Sequence, residues 1–198
     1  MSMAGFDPTH AVRFDLPRGS VTAGSDERHV LLPCAALDDL VLIAGPEAAC
    51  SVGRALGSSI GKRIASRLGG ADALRGSSIE RVITDIAREL AVSGLGAVAI
   101  ERWGRALVVA VDRPAVADLA FLASILEGVL EGATDTPVRC VSLGREGAIV
   151  RVLVASDSAI TRARAMLNQG AAWGDVLARL HPSNAKERAN EGDRGGDP

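Results

Sequence analysis

Gly53, Gly57 and Gly61 recur every four residues in a stretch, about Pro46 to Leu68, whose remaining residues favour a helix. That interval places all three on one ridge of the helix. Each glycine costs about 1 kcal/mol relative to alanine, so roughly 3 kcal/mol of propensity must be offset by something packed closely against the bare backbone, either another helix or the alanine face of a sheet. The same small-residue spacing pairs helices in membranes, but Arg54, Lys62, Arg63 and Arg67 interrupt this one. Gly57-Ser58-Ser59-Ile60-Gly61-Lys62 is also not a phosphate loop, because Arg63 stands where a hydroxyl is needed and no strand precedes it.

The second constraint is the run Gly94 to Pro114, which reads as a β-hairpin with Arg102-Trp103-Gly104-Arg105 at its tip. A two-residue turn at Trp103-Gly104 sets Ile100 opposite Leu107 and Val98 opposite Val109. One face then carries branched residues, and the other Ala97, Ala99, Ala106 and Ala110 with Val108. Large residues on one face and alanines on the other predict that both faces are covered, with a helix close to the small one. A second hairpin is expected from Val138–Leu143 and Ala148–Val154, joined through Gly144-Arg145-Glu146-Gly147.

Around these hairpins the chain predicts short N-terminal strands at Ala11–Leu16, near Val21 and at His29–Leu32. A short helix over Ala35–Ile43 closes at Gly45, and Pro46 opens the glycine-ridged helix. Ser77-Ser78-Ile79-Glu80 reads as a capping box for a third helix, with Ile79, Val82, Ile83, Ile86 and Leu90 inward and Glu80, Arg81, Asp85 and Glu89 on a solvated face. Pro114 is expected to open a fourth helix, whose Leu119, Leu122, Ile125, Leu126, Val129 and Leu130 cover a core. Glu127 and Glu131 lie one turn apart on it, a spacing that without a histidine or metal partner is a weak acid–base signal. Ser156 or Asp157 caps a helix to about Leu167, and Trp173, Val176, Leu177 and Leu180 stripe a last one. The expected fold class is therefore α+β: an antiparallel sheet of two central hairpins plus N-terminal strands, packed with four to six helices. The expected organisation is a flexible arm over 1–10, a single domain over 11–181 and a disordered charged tail over 182–198.

At 198 residues and 47% hydrophobic, the chain can build a core without metals or disulfides. Its net charge of -2 and 3% aromatic content argue against a nucleic-acid partner. Neither a membrane-spanning run nor a secretory leader is recognisable, so a cytoplasmic chain is the expectation. Cys34, Cys50 and Cys140 have no metal-ligand spacing and read as reduced, buried structural thiols; His29 reads as a strand residue. No metal site, cofactor or local catalytic motif is expected.

The glycine-ridged helix, the Gly94-Leu95-Gly96 run leading into the hairpin, Ile125-Leu126-Glu127-Gly128, and Cys140 four residues before Gly144 together resemble the 4-vinyl reductase-like domain. That family is a small-molecule-binding domain related in fold to components of the TRAPP trafficking complex, and the resemblance spans approximately Val12 to Val154. Many members carry a second cysteine after the glycine; this chain has Ala148, Ile149 and Val150 there, which speaks against a cysteine-based metal or redox role. Val52-Gly53-Arg54, Trp103-Gly104, Pro114 and Leu126-Glu127-Gly128 are also similar to bacterial cellulose synthase D, a structural oligomer. The first resemblance implies a non-enzymatic domain that binds an apolar small molecule or a partner protein, as a homodimer or higher homo-oligomer. Its expected ligand-binding residues are Val98, Ile100, Leu107, Val109, Leu122 and Leu126, with Arg102 and Arg105 as anchors. The second implies a scaffold whose interface between copies uses Gly53, Gly57, Gly61 and Trp103.

Overall fold

Two antiparallel sheets and six helices make up the computed structural model, which describes residues 11–23, 28–104 and 106–180. The expected arm, tail and Arg105 lie outside the described residues. Strands β1 (Val12–Asp15), β2 (Ser20–Ala23) and β3 (Arg28–His29) pair among themselves in that order and do not join the central sheet. Helix α1 (Cys34–Leu68) follows, broken at Gly45, whose φ of 76° is non-helical, and resumed at Pro46. The two segments expected from the sequence are thus present, run together end to end. A short α2 (Ala71–Arg75) adds an element that the sequence pattern does not announce. Helix α3 (Ile79–Val92) is capped by Ser78, which accepts from the Arg81 amide; the capping serine stands one residue later than the expected box, and Ser77 instead donates to the Ala73 carbonyl.

The central sheet has the order β4-β5-β7-β6 and is built from two hairpins, β4 (Ala97–Trp103) with β5 (Ala106–Asp112) and β6 (Arg139–Glu146) with β7 (Ile149–Ala155). The first turn begins after Trp103 rather than at it: Trp103 pairs with Ala106, Ile100 with Val109 and Val98 with Val111. Gly104, at φ 63°, supplies the positive φ that such a tight turn needs, and a tryptophan would not. The register therefore moves by two residues, and because side chains alternate with period two, the faces stay as expected.

On the branched face, Val109, Val111, Val150 and Val152 form one core with α1, α3 and α4 (Leu119–Thr134). On the other, Ala106, Val108, Val141, Leu143 and Leu153 pack with α5 (Asp157–Asn168) and α6 (Trp173–Leu180). Over Ala110 the covering group is a side chain. Arg151 is the neighbour of Ala110 on β7, and its guanidinium reaches Glu101 on β4 at 2.8 Å. The hydrogen bond from Arg151 holds the Glu101 carboxyl below its ordinary range.

Helix α4 starts five residues after Pro114, at the Asp118 cap, whose carboxylate accepts from the Phe121 amide at 2.7 Å. Two further expectations are corrected. Asp85 and Glu89 on α3 are buried, because that face meets α1, where Arg63 and Arg67 both pair with Glu89. Cys34 is exposed and Cys50 half-buried; of the three thiols, Cys140 is the buried one.

The glycine ridge packs against α4 of the same chain. A Cβ at Gly57 would lie closer than 3.0 Å to the Ile125 carbonyl and the Val129 amide, and one at Gly61 would meet the Val129 carbonyl and, 2.7 Å away, the Ala133 amide. Gly53 sits against Ser124. The fit is reciprocal: Gly128 lies on the Arg54 backbone, and a Cβ at Gly132 would be 2.6 Å from the Ser58 carbonyl. Gly57→Ala should therefore lower stability, and Gly57→Leu more so, by about 1–3 kcal/mol or beyond, against the roughly 1 kcal/mol that helix propensity alone would gain. Gly174→Ala on α6, where an added methyl meets nothing within 4 Å, should be neutral or stabilising. Thermal denaturation at widely separated protein concentrations checks both, and the loss at Gly57 should not depend on concentration.

Candidate functional site: a pocket at the edge of the sheet

Every residue of α4 from Phe121 to Leu130 is buried, and Glu127 is among them. A buried carboxylate persists only when it is paired and hydrogen-bonded. Its Oε2 accepts from the Cys140 amide at 3.0 Å, its Oε1 accepts from the Arg139 guanidinium at 3.2 Å, and the Arg54 guanidinium lies 3.6 Å away. Arg139 also meets Glu131 and Asp157, each at 3.3 Å. Its guanidinium is held above the ordinary range, chiefly by the charge of Glu127.

The sheet topology explains this arrangement. β6 is an edge strand, so its outward backbone groups have no neighbouring strand to pair with. At Cys140 they are met by side chains from the two faces of the sheet: Glu127 of α4 takes the amide, and Arg164 of α5 donates to the carbonyl at 3.5 Å. Burial, reinforced by the charges of Glu127 and Glu131, pushes the Cys140 thiol upward, so it stays protonated. Just beyond, the pairing shifts register between Ser142 and Gly144, a bulge of the kind that re-aims side chains at sheet edges.

Between the bulged edge and the helices lies a pocket of about 390 Å³. Helix α1 contributes Cys50 and Arg54, α4 contributes Leu119, Ala120, Ala123, Ser124 and Glu127, and α5 contributes Arg164 and Leu167. The remaining wall is β6 from Cys140 to Gly144. Ser142 accepts from the Gly144 amide at 3.3 Å, which leaves its hydroxyl proton to donate. The walls are thus mostly apolar, with a few polar groups converging on one volume.

The residues expected from the sequence lie elsewhere. Val109, Leu122 and Leu126 are fully buried between the sheet and the α1–α3–α4 side, with Val98 and Ile100 packed against them. Leu107 is half-buried and opposite Arg102, which is exposed. None of these lines the 390 Å³ pocket. Trp103, 46% exposed, is edge-on to Trp173 at 4.9 Å and donates to Glu101. Gly53, Gly57 and Gly61 are occupied by α4. Glu127 stands out in the sequence only as half of a carboxylate pair. A stronger signal is its place in a helix apolar on every side, where a carboxylate has no water to face.

The chain is similar to the phenol-responsive sensory domain of the transcription activator PoxR, solved with phenol, with a TM-score of 0.52 over 74% of this chain and 85% of that one, at 16% identity. No family model matches the sequence, and no curated protein does. Neither of the two families resembled in short motifs is therefore supported by a sequence match.

Substitutions at Glu127 should separate its two duties. Glu127→Gln keeps an acceptor for the Cys140 amide and leaves Arg54 and Arg139 with their solvent-exposed portions hydrated, so its cost should be small. Glu127→Leu strips a buried amide of its acceptor and should cost about 1–3 kcal/mol more than the glutamine variant, measured by urea denaturation.

Proposed function

We propose that this chain is a small-molecule-binding domain of the sensory type rather than an enzyme, and that the pocket at the β6 edge is its binding site. The observation that carries this reading is the pocket itself: a concave, largely apolar volume of about 390 Å³ at the meeting of α1, α4, α5 and the bulged strand. The likeness to a phenol-responsive sensory domain supports it at the level of fold. The chemistry of the lining favours binding over catalysis. Glu127 is held by an amide and two guanidinium groups, and the Cys140 thiol is held protonated, so neither is poised as a base or nucleophile.

Native mass spectrometry of the gently purified protein, followed by thermal-shift screening of small aromatic and aliphatic compounds, tests this reading. Binding should be abolished by Ala120→Trp, which places a large ring at an exposed position of the pocket rim and so spares the core. Absence of any binder, or binders indifferent to Ala120→Trp, would count against the site.

Self-association is the second part of the reading, and a separate observation favours it. Among the described residues, ten of the eleven exposed large hydrophobic side chains fall between Phe14 and Leu56, including Leu16 (83% exposed), Val30 (87%), Leu42 (80%) and Ile43 (81%). At on the order of 100 Å² each, ten such side chains reach the roughly 800 Å² per partner that a stable interface buries. A second copy of this chain is the occupant we infer. Light scattering after size exclusion should give a dimer for the parent and a monomer for Leu42→Asp/Ile43→Asp, whose positions lie outside the core; a monomeric parent at micromolar concentration would overturn it.

A further inference from the structure

We infer that the ligand of the β6-edge pocket is a small amphipathic carboxylate, with its anionic end between Arg54 and Arg164 and its apolar body against Leu119, Ala123 and Leu167. This rests on the proposed binding role and adds the chemical class. Among the described residues, three charged side chains line the pocket: Arg54, Arg164 and Glu127. The negative charge of Glu127 is already shared with Arg139 at 3.2 Å, and Arg54 is the more distant of its two cations, at 3.6 Å. Outside the lining, Arg139 also pairs with Glu131 and Asp157. Arg164 is thus the lining cation that pairs with no carboxylate among the described residues.

Hydrogen-bonding capacity points the same way. The described protein contact of the Arg164 guanidinium is one long bond, 3.5 Å, to the Cys140 carbonyl, which uses one of its five donors. Ser142 keeps its hydroxyl proton, because its oxygen already accepts from Gly144. Ser124 spends its own proton on the Phe121 carbonyl, and the Glu127 oxygens already accept from the Cys140 amide and Arg139. The unspent donors of Arg164 and Ser142 line the same volume. A neutral phenol or alcohol can use only part of that set; a carboxylate, which only accepts and carries the opposite charge, matches it and can take a guanidinium in the paired geometry that arginine favours. The glycine contact sets the height of one anchor: Gly128 lies directly on the Arg54 backbone, so that arginine is presented beside Glu127.

Isothermal titration of the full chain with benzoate and octanoate, and with their neutral counterparts benzamide and octan-1-ol, tests the inference. At least one carboxylate should bind about tenfold or more tightly than its neutral counterpart, the size expected for a charge-assisted hydrogen bond. Arg164→Met, at an exposed position on the pocket mouth, should remove that preference by weakening the carboxylate far more than the neutral compound, and Ser142→Ala should likewise weaken the carboxylate more. Equal affinity for charged and neutral members, or a preference that survives Arg164→Met, would overturn the carboxylate assignment while leaving the pocket as a binding site. Failure of all four compounds while phenol binds in an Ala120-dependent way would have the same meaning. Failure of all five, with nothing co-purifying, would overturn the binding role itself.

Discussion

Where α1 crosses α4 no side chains separate the two backbones, and the position of nearly everything else on that side of the sheet follows from this contact. Glycines on each helix receive the carbonyls of the other: Gly57 and Gly61 lie on the backbone of Ile125 and Val129, Gly128 and Gly132 on that of Arg54 and Ser58. Five glycines in helix interiors, Gly53 included, cost roughly 5 kcal/mol of propensity. Close approach offsets this through dense dispersion contact and through weak Cα–H to carbonyl interactions, which few side chains other than hydrogen would allow. It also fixes rotation. A helix locked by reciprocal notches cannot turn about its axis, so the residues beside the notches, Arg54 next to Gly53 and Glu127 next to Gly128, are delivered to defined places.

The charged cluster at the sheet edge depends on that delivery. Burying Glu127 is unfavourable unless its oxygens are satisfied, and the groups that satisfy them come from separate parts of the chain: Arg54 from α1, and Arg139 with the Cys140 amide from β6. In return the carboxylate covers part of the exposed edge of β6, a role that another strand would otherwise fill. The same residue thus belongs to the structure and to the pocket. Its two kinds of partner differ in what they can do without it: the amide needs an acceptor, whereas the half-exposed guanidinium groups have water.

Local chemistry makes much of the architecture legible. The glycine interval announces a close contact, Gly45-Pro46 marks a real break, and alternating residues in two hairpins define the central sheet. The hairpin faces agree with expectation although the turn lies one residue further along, because the resulting shift of two in the pairing preserves the alternation. What stays hidden is what depends on partners distant in sequence. Asp85 and Glu89 have the spacing of a solvated stripe, and nothing near them reveals that Arg63 and Arg67 reach Glu89 across a helix contact. Glu127 likewise meets Arg54, which belongs to another helix, and Cys140, which lies beyond a loop. Large branched residues of the hairpin suggest a ligand-lined wall, but such residues are also the ones that pack best, and here Val109 lies in the core with Val98 and Ile100 packed against it.

That difference carries a general argument about where a sheet of this kind can hold a ligand. Val109, Val150 and Val152 are covered on one face of the sheet, and Val108, Leu153 and Ile160 lie together on the other, each at 2% exposure or less, so the middle of the sheet is covered on both faces. The pocket lies where that covering ends, at the edge strand β6, with α4 and α5 both on its border. The bulge at Ser142 to Gly144 falls in the same wall. An edge pocket of this origin is necessarily bordered by backbone groups seeking partners and by the charged side chains that supply them. A ligand of such a pocket would be selected against a polar rim, with the apolar residues inside contributing affinity and the rim deciding which head group is accepted.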